Sequence, residues 1–467
     1  MRHSPASRAL KDQDRSALAR LLTNTVLFAA ITGVCAVLGM FAGGSEAAAE
    51  TGRAYDIFAD RPVSSGATDK SGAAASPRST FVDDPWAVDW IDPWEAPRRI
   101  EDFENASAPA SDAPTLGDAG YWPLLRAISM YRNIVEWGGW DSIPAGEERF
   151  EEGLVDEVRV PLLRKRLIAT GDLESSGGNP TVFDAQLTQA LQRFQARNGL
   201  LPDGVVGRRT LEALNVSAKA RLALLERNLK RINKLKLNLG ERYIFVNIAG
   251  QKLEAVANGR VERRHRVVIG KVDRQTPEYT SKITFLAFNP YWHVPQSIAE
   301  KDILPQVRRD PSYLRRLNMK VYRGYGGSEV NPSTVNWNQV NGRTFLFRQE
   351  PGPRNSLGTV KIHFPNPHAV YLHDTPSKSL FGRTVRANSS GCVRVENVHD
   401  LTTWLLDAQG WDRSRVDALV KSGQRKDIYL KKTVPVYMLY LTAWVDEHGV
   451  VNFRDDIYGR DSRRASL

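Results

Sequence analysis

Cysteine is nearly absent: the 467-residue chain has two, Cys35 and Cys392. A pair so few and so far apart in sequence excludes a disulfide framework. The eight histidines show no ligand spacing, so no metal and no cofactor is expected. Also missing are a recognition helix, a zinc-finger spacing and the aromatic pattern of an RNA-binding sheet. The formal charge of +11 is therefore not read as a nucleic-acid footprint. It suits acidic partners or plain solvation, and decides little alone. Hydrophobic residues are not scarce. At 42% of the chain they can build real cores, and the length suits two to four domains.

Residues 21–41 are an uncharged, mostly apolar run of 21 residues behind Arg2, Arg8, Lys11, Arg15 and Arg20. That run is long enough to span a bilayer, with its basic flank (residues 1–20) in the cytoplasm. Ala47-Ala48-Ala49 offers a cleavage site, so a cleaved signal peptide competes with a retained anchor over 21–42. The length of the run favours an anchor in the inner membrane. Either way the remainder is expected outside the cytoplasm, in the periplasm or cell envelope. Cys35 falls inside the run as a small hydrophobe, which leaves Cys392 alone in an oxidising compartment. A lone thiol there is a liability unless it does chemistry.

Cys392 sits in Ser389-Ser390-Gly391-Cys392-Val393-Arg394, nineteen residues after His373 in Tyr371-Leu372-His373-Asp374-Thr375-Pro376. Glycine before the cysteine lets the backbone approach a substrate carbonyl and aim N–H groups at it. A cysteine nucleophile needs a base, and imidazole is the usual one. For an arbitrary pair, a buried structural cysteine and a satisfied core histidine would be the plainer reading. The flanking residues overturn it. Both stretches resemble the catalytic signature of the L,D-transpeptidases, the YkuD-type cysteine enzymes of peptidoglycan, and fit the large, YcbB-like branch. Small members carry histidine where this chain has Ser390, so no role for that histidine carries over.

The resemblance implies that Cys392 attacks the amide between the L-centre of a diamino acid and the terminal D-Ala of a tetrapeptide stem. His373 takes the thiol proton and later gives one to the leaving amine. The thioester is then attacked by the side-chain amine of a second stem, giving a 3-3 crosslink. Carbapenems are expected to acylate the same thiol. Gly391, with Cys392, is the expected backbone oxyanion donor. Tyr371, Ser390 and Arg394 are expected at the substrate: Tyr371 shares a strand face with His373, and Arg394 either meets a substrate carboxylate or holds the cysteine loop. His368 is a candidate for supporting the site, His293 for lining the cleft, and His363 reads as structural. His265 and His399 carry no argument.

The fold class expected is α+β. It comprises a β-rich L,D-transpeptidase domain with a lid insertion, an all-α peptidoglycan-binding-like domain and a helical scaffold. Residues 43–120 read as a disordered linker rich in Ala, Ser, Pro, Gly and Asp. One island interrupts it at 81–103, where Trp86, Trp90 and Trp94 stand among acidic residues; it docks either on a protein partner or on this chain's own body. Amphipathic helices at 121–158 and 216–240, the latter with Leu222, Leu225, Leu229 and Ile232 on one stripe, form the scaffold. Between them 159–215 resembles a peptidoglycan-binding three-helix domain, with Leu162, Leu163, Leu167 and Ile168 on one side of its first helix. Leu187, Ala190, Leu191 and Phe194 follow Asp184 as its capped second helix. The period shifts to that of strands from residue 242, with Asn258-Gly259 as a hairpin turn, and 241–410 is read as the catalytic domain. Residues 297–358 are read as a lid with a glycine-rich tip at Gly324-Tyr325-Gly326-Gly327 and a stiff return over Arg348-Gln349 and Pro351-Gly352-Pro353. Residues 411–467, with a hairpin at 433–461, are read as an extension closing the domain. An L,D-carboxypeptidase or endopeptidase on the same fold and an idle wall-binding protein are the rival readings.

Overall fold

A computed structural model describes residues 112–174, 177–234, 239–324 and 326–461. The apolar run at 21–41, the island at 81–103 and Tyr325 lie outside the described residues. Among the described residues no helix is long and apolar enough to cross a membrane.

Five helices come first: α1 (Asp118–Glu136), α2 (Arg159–Ala169), α3 (Ala185–Arg197), α4 (Arg208–Leu214) and α5 (Ala218–Lys234). The start of α1 lies inside the stretch read as linker, where Thr115 and Leu116 are already buried and Thr115 bonds to Glu254. The Asp184 carboxylate caps α3 by accepting from the Leu187 N–H, satisfying a donor that the first turn leaves orphaned. Leu187, Ala190, Leu191 and Phe194 then turn inward onto Leu163 and Leu167 of α2. On α2 the buried stripe is Val160, Leu163 and Leu167 rather than the expected one, and Ile168 faces out.

The strands are β1 (Arg242–Asn247), β2 (Lys252–Ala257), β3 (Arg260–Gly270), β4 (Tyr279–Phe288), β5 (Trp292–His293), β6 (Met319–Tyr322), β7 (Glu329–Val330), β8 (Leu346–Gln349), β9 (Val360–His363), β10 (Leu372–His373), β11 (Ala387–Ser389), β12 (Val393–Val395), β13 (Lys426–Leu439), β14 (Ala443–Val445) and β15 (Val451–Phe453). Nine form one sheet in the order β11-β3-β12-β10-β9-β4-β13-β1-β2, and β2 also pairs with β3. The sheet thus closes on itself, which leaves few unpaired edges. Asn258 and Gly259 both have positive φ, as a two-residue turn of matching twist requires. Helices Val398–Leu406 and Arg413–Lys421 pack on the sheet, and β1, β3, β9, β12 and β13 send Val, Ile and Leu into the core between.

Two expectations are corrected. The 411–467 stretch is not a closing extension, because β13 is an interior strand, parallel to β1 and antiparallel to β4. The hairpin is β14–β15 alone, and it packs against α1 and α5 through Ala443, Val445, Val451 and Phe453. Period-two alternation says that a segment is a strand; it does not say which strand lies beside it.

The insertion is likewise more than a loop. β5, β8, β6 and β7 form their own four-stranded sheet. A helical run continues through a π-turn at Ala299–Ile303 into Leu304–Arg309, and Ile303, Leu304, Val307, Val321 and Phe347 close a separate core. Within the expected stiff return, the buried Gln349 at the end of β8 donates to the Leu317 and Arg354 carbonyls and accepts from the Ser356 N–H.

Candidate active site

β10 and β12 lie side by side and parallel, pairing Leu372 with Val393 and His373 with Arg394. That register brings residues far apart in sequence to one end of the sheet. Cys392 is the last residue before β12, and the loop carrying it turns at Gly391 with φ +114°. A Cβ there would meet nothing closer than 3.7 Å. The glycine is therefore required by backbone conformation and not by crowding.

Cys392 and His373 line one cavity of about 410 Å³, with Tyr371, Ser390, Gly391 and Arg394 among the other walls. His373 is buried, and its Nδ1 lies 2.5 Å from the Asp374 carbonyl oxygen. A ring nitrogen bonded to a carbonyl carries the hydrogen, so Nε2 holds the lone pair. Burial, reinforced by the Arg394 guanidinium, depresses the imidazole to about 3. Burial likewise pushes the Cys392 thiol up, against the opposing effect of its contacts with Tyr371 and the charges of Lys361 and Arg394. The thiol and the imidazole that line this cavity are both neutral at rest.

The peptide that orients His373 is itself tied down. The Asp374 carboxylate accepts from the Thr359 N–H and hydroxyl and from Lys378. Thr359 Oγ1 lies 2.8 Å from His399 Nε2, whose Nδ1 lies 2.9 Å from Asp417. Gly358, at φ +62°, packs so tightly that a Cβ there would lie 2.5 Å from Asp374 atoms.

Comparison with known proteins fits this geometry. Residues 241–433 match the L,D-transpeptidase catalytic domain family called YkuD, and residues 156–214 match a family described as "Putative peptidoglycan binding domain". Residues 241–433 are a YkuD-type domain. A "Putative L,D-transpeptidase" of Haemophilus influenzae is 36% identical over 219 residues, 47% of this chain and 44% of that one. The chain thus spans under half the length of that curated relative. An L,D-transpeptidase from Stackebrandtia nassauensis is 13% identical with a TM-score of 0.24, covering 64% of this chain and 96% of that one. One from Mycobacterium smegmatis is 14% identical with a TM-score of 0.23, over 43% and 58%. Those scores leave the assignment to the family match.

Within the YkuD domain the remaining expectations separate. Tyr371 does share a face with His373, the rings 5.6 Å apart, and the Lys361 ammonium sits over the Tyr371 ring. Arg394 is buried beside His373 and donates to Thr375 Oγ1 at 3.4 Å. The Ser390 hydroxyl accepts from Arg274 at 3.0 Å. Arg274 grips Asp302 of the π-turn through two hydrogen bonds, which ties the cysteine loop to the insertion. Gly391 is corrected as an oxyanion donor: its N–H points at Ser389 Oγ, 3.1 Å away. The neighbouring Cys392 N–H has no partner among the described residues. His368 lines the cavity, whereas His293 does not, because Trp292 takes that place one residue earlier on the strand. His363 lies against the Phe285 ring. Sequence reasoning missed Arg274, Asp302 and the supporting role of His399, since no motif marks contacts between segments so distant.

Proposed function

We propose that this protein is an L,D-transpeptidase of the YcbB-like branch, working at the cell envelope on peptidoglycan tetrapeptide stems. One observation carries the proposal: His373 commits Nδ1 to the Asp374 carbonyl and lines the same cavity as Cys392, so Nε2 is the basic atom available to the thiol. Because both groups rest neutral, no thiolate stands preformed. The thiol proton passes to Nε2 as sulfur attacks the stem carbonyl, the C–N bond to D-Ala breaks, and the departing amine takes that proton. The thioester then waits for the side-chain amine of a second stem. The matched catalytic domain supports this class of chemistry, and the substantial insertion beside the cysteine loop supports the branch. The same thiol offers carbapenems a site for acylation.

The deciding experiment incubates purified protein with tetrapeptide muropeptides and follows products by mass spectrometry. Crosslinked dimers with free D-Ala are expected, and none from Cys392→Ala folded to within a few degrees of the native Tm. Tripeptides without dimers would show a hydrolase instead, and product from Cys392→Ala would sink the assignment.

A further inference from the structure

We infer that Thr276, braced by Tyr458, is a positioning residue that aims the Cys392 N–H at the oxygen of the acyl group; this rests on the cysteine acyl-enzyme proposed above. In a trans peptide the C=O and the next N–H point opposite ways, so whatever holds the Gly391 oxygen sets the direction of the Cys392 N–H. The holder is Thr276: its hydroxyl donates to the Gly391 oxygen at 2.9 Å. With φ at +114°, the glycine belongs to a backbone region where peptide planes have alternatives, and that bond selects one.

Thr276 is itself fixed on all sides. It is fully buried, and its Oγ1 accepts from the Gly270 N–H at 2.9 Å. The Tyr458 hydroxyl donates to the Gly270 oxygen at 2.6 Å and accepts from the Thr276 N–H at 3.3 Å. Tyr458 closes a ring of hydrogen bonds around the 270–276 turn. The turn packs closely enough to exclude a side chain at Gly270, where a Cβ would lie 2.1 Å from the Arg274 oxygen. Tyr458 is buried too, stacked on Tyr440 at 5.4 Å, and its N–H donates to the Tyr440 hydroxyl at 3.0 Å. The brace lies beyond residue 433, where the catalytic-domain match ends. The carboxyl-terminal segment is thus built into the support of the reacting loop.

Acylation needs the device and alkylation does not. In acylation the S–C bond forms as the carbonyl π pair moves to oxygen, which the Cys392 N–H receives. The pair returns as the bond to the leaving group breaks, and the thiol proton travels by way of His373. Alkylation by iodoacetamide forms an S–C bond as iodide leaves, with no charge growing on an oxygen at that carbon. Purified full-length protein is therefore assayed in parallel, with p-nitrophenyl acetate by chromophore release and adduct mass, and with iodoacetamide by adduct mass. Thr276→Val is expected to slow acylation about 10- to 100-fold, toward the loss seen when an oxyanion donor is removed, while alkylation stays within about twofold. Thr276→Ser should restore acylation, and Tyr458→Phe should lower it in the same selective way by a smaller factor. Equal falls in both reactions, or no fall in acylation, would overturn the inference. If the native thiol takes up no acetyl group, the inference and the acyl-enzyme fall together. If it acylates but yields no product from stems, only the transpeptidase proposal fails.

Discussion

His373 is the residue whose burial has the widest consequences. A histidine held neutral makes a better proton acceptor for a thiol than an imidazolium would, but it opposes folding in acid. Above its ordinary 6.5 neither folded nor unfolded chain holds the proton, and full stability is present. As the pH falls below 6.5 the unfolded chain takes a proton that the buried site refuses until about 3. Stability is therefore lost over that window at up to about 1.4 kcal/mol per pH unit. Urea unfolding between pH 4 and 7 should show this slope in the native protein and a shallower one in His373→Asn. Equal slopes would mean that the imidazole is protonated in the folded site. Little of this could be read from sequence, because the motif names the histidine without the wall of buried residues that depresses it.

At the scale of elements, the insertion meets the cavity through its base. The cavity takes Ser297, Ile298, Lys301, Ser356 and Leu357 from it and, among the described residues, nothing from the β6–β7 turn. Glycines at 324, 326 and 327 marked that turn as the moving part, yet glycine signals only backbone freedom and not proximity to a substrate. Asp302 is the better lever, since its grip on Arg274 joins the π-turn to Ser390 and the cysteine loop. Asp302→Asn is expected to lower crosslinked dimers about tenfold, as small misplacements of reacting groups do. Replacing 324–327 with a Gly-Ser linker should change them by less than about twofold. Muropeptide mass spectrometry on the two variants checks both, and a larger loss from the tip replacement would restore the tip as the functional part of a lid.

Across the whole molecule, buried arginines join the helical domain to the β14–β15 hairpin. Arg197 pairs with Asp172 through two hydrogen bonds and reaches the Val451 carbonyl of the hairpin, while Arg454 of that hairpin donates back to the Arg197 carbonyl. Arg166 lies 3.6 Å from the Trp140 ring centroid and Arg221 lies over Phe453. Removing the acid leaves a buried cation without its partner. Asp172→Asn should cost about 3–5 kcal/mol, read as a large fall in Tm. Arg209→Ala, which breaks an exposed pair with Asp455, should cost no more than about 1 kcal/mol. Similar losses from the two would mean that the Arg197 site is wetter than its burial implies.

The sequence by itself determined what local chemistry can determine. Period and turn residues set the helix α3 with its Asp184 cap and the β2–β3 hairpin at Asn258-Gly259, because those signals act over a few residues. The Gly391-Cys392 and His373 motifs did the same for the likeness of residues 241–433 to the YkuD family. Only the tertiary structure decided that β13 runs through the middle of the sheet and that the insertion folds around its own core. Tertiary contacts also put Thr276, Tyr458, Asp302 and His399 behind the site. Each of those depends on which segments become neighbours, and hydrogen bonds between segments distant in sequence leave no periodicity in the chain to read.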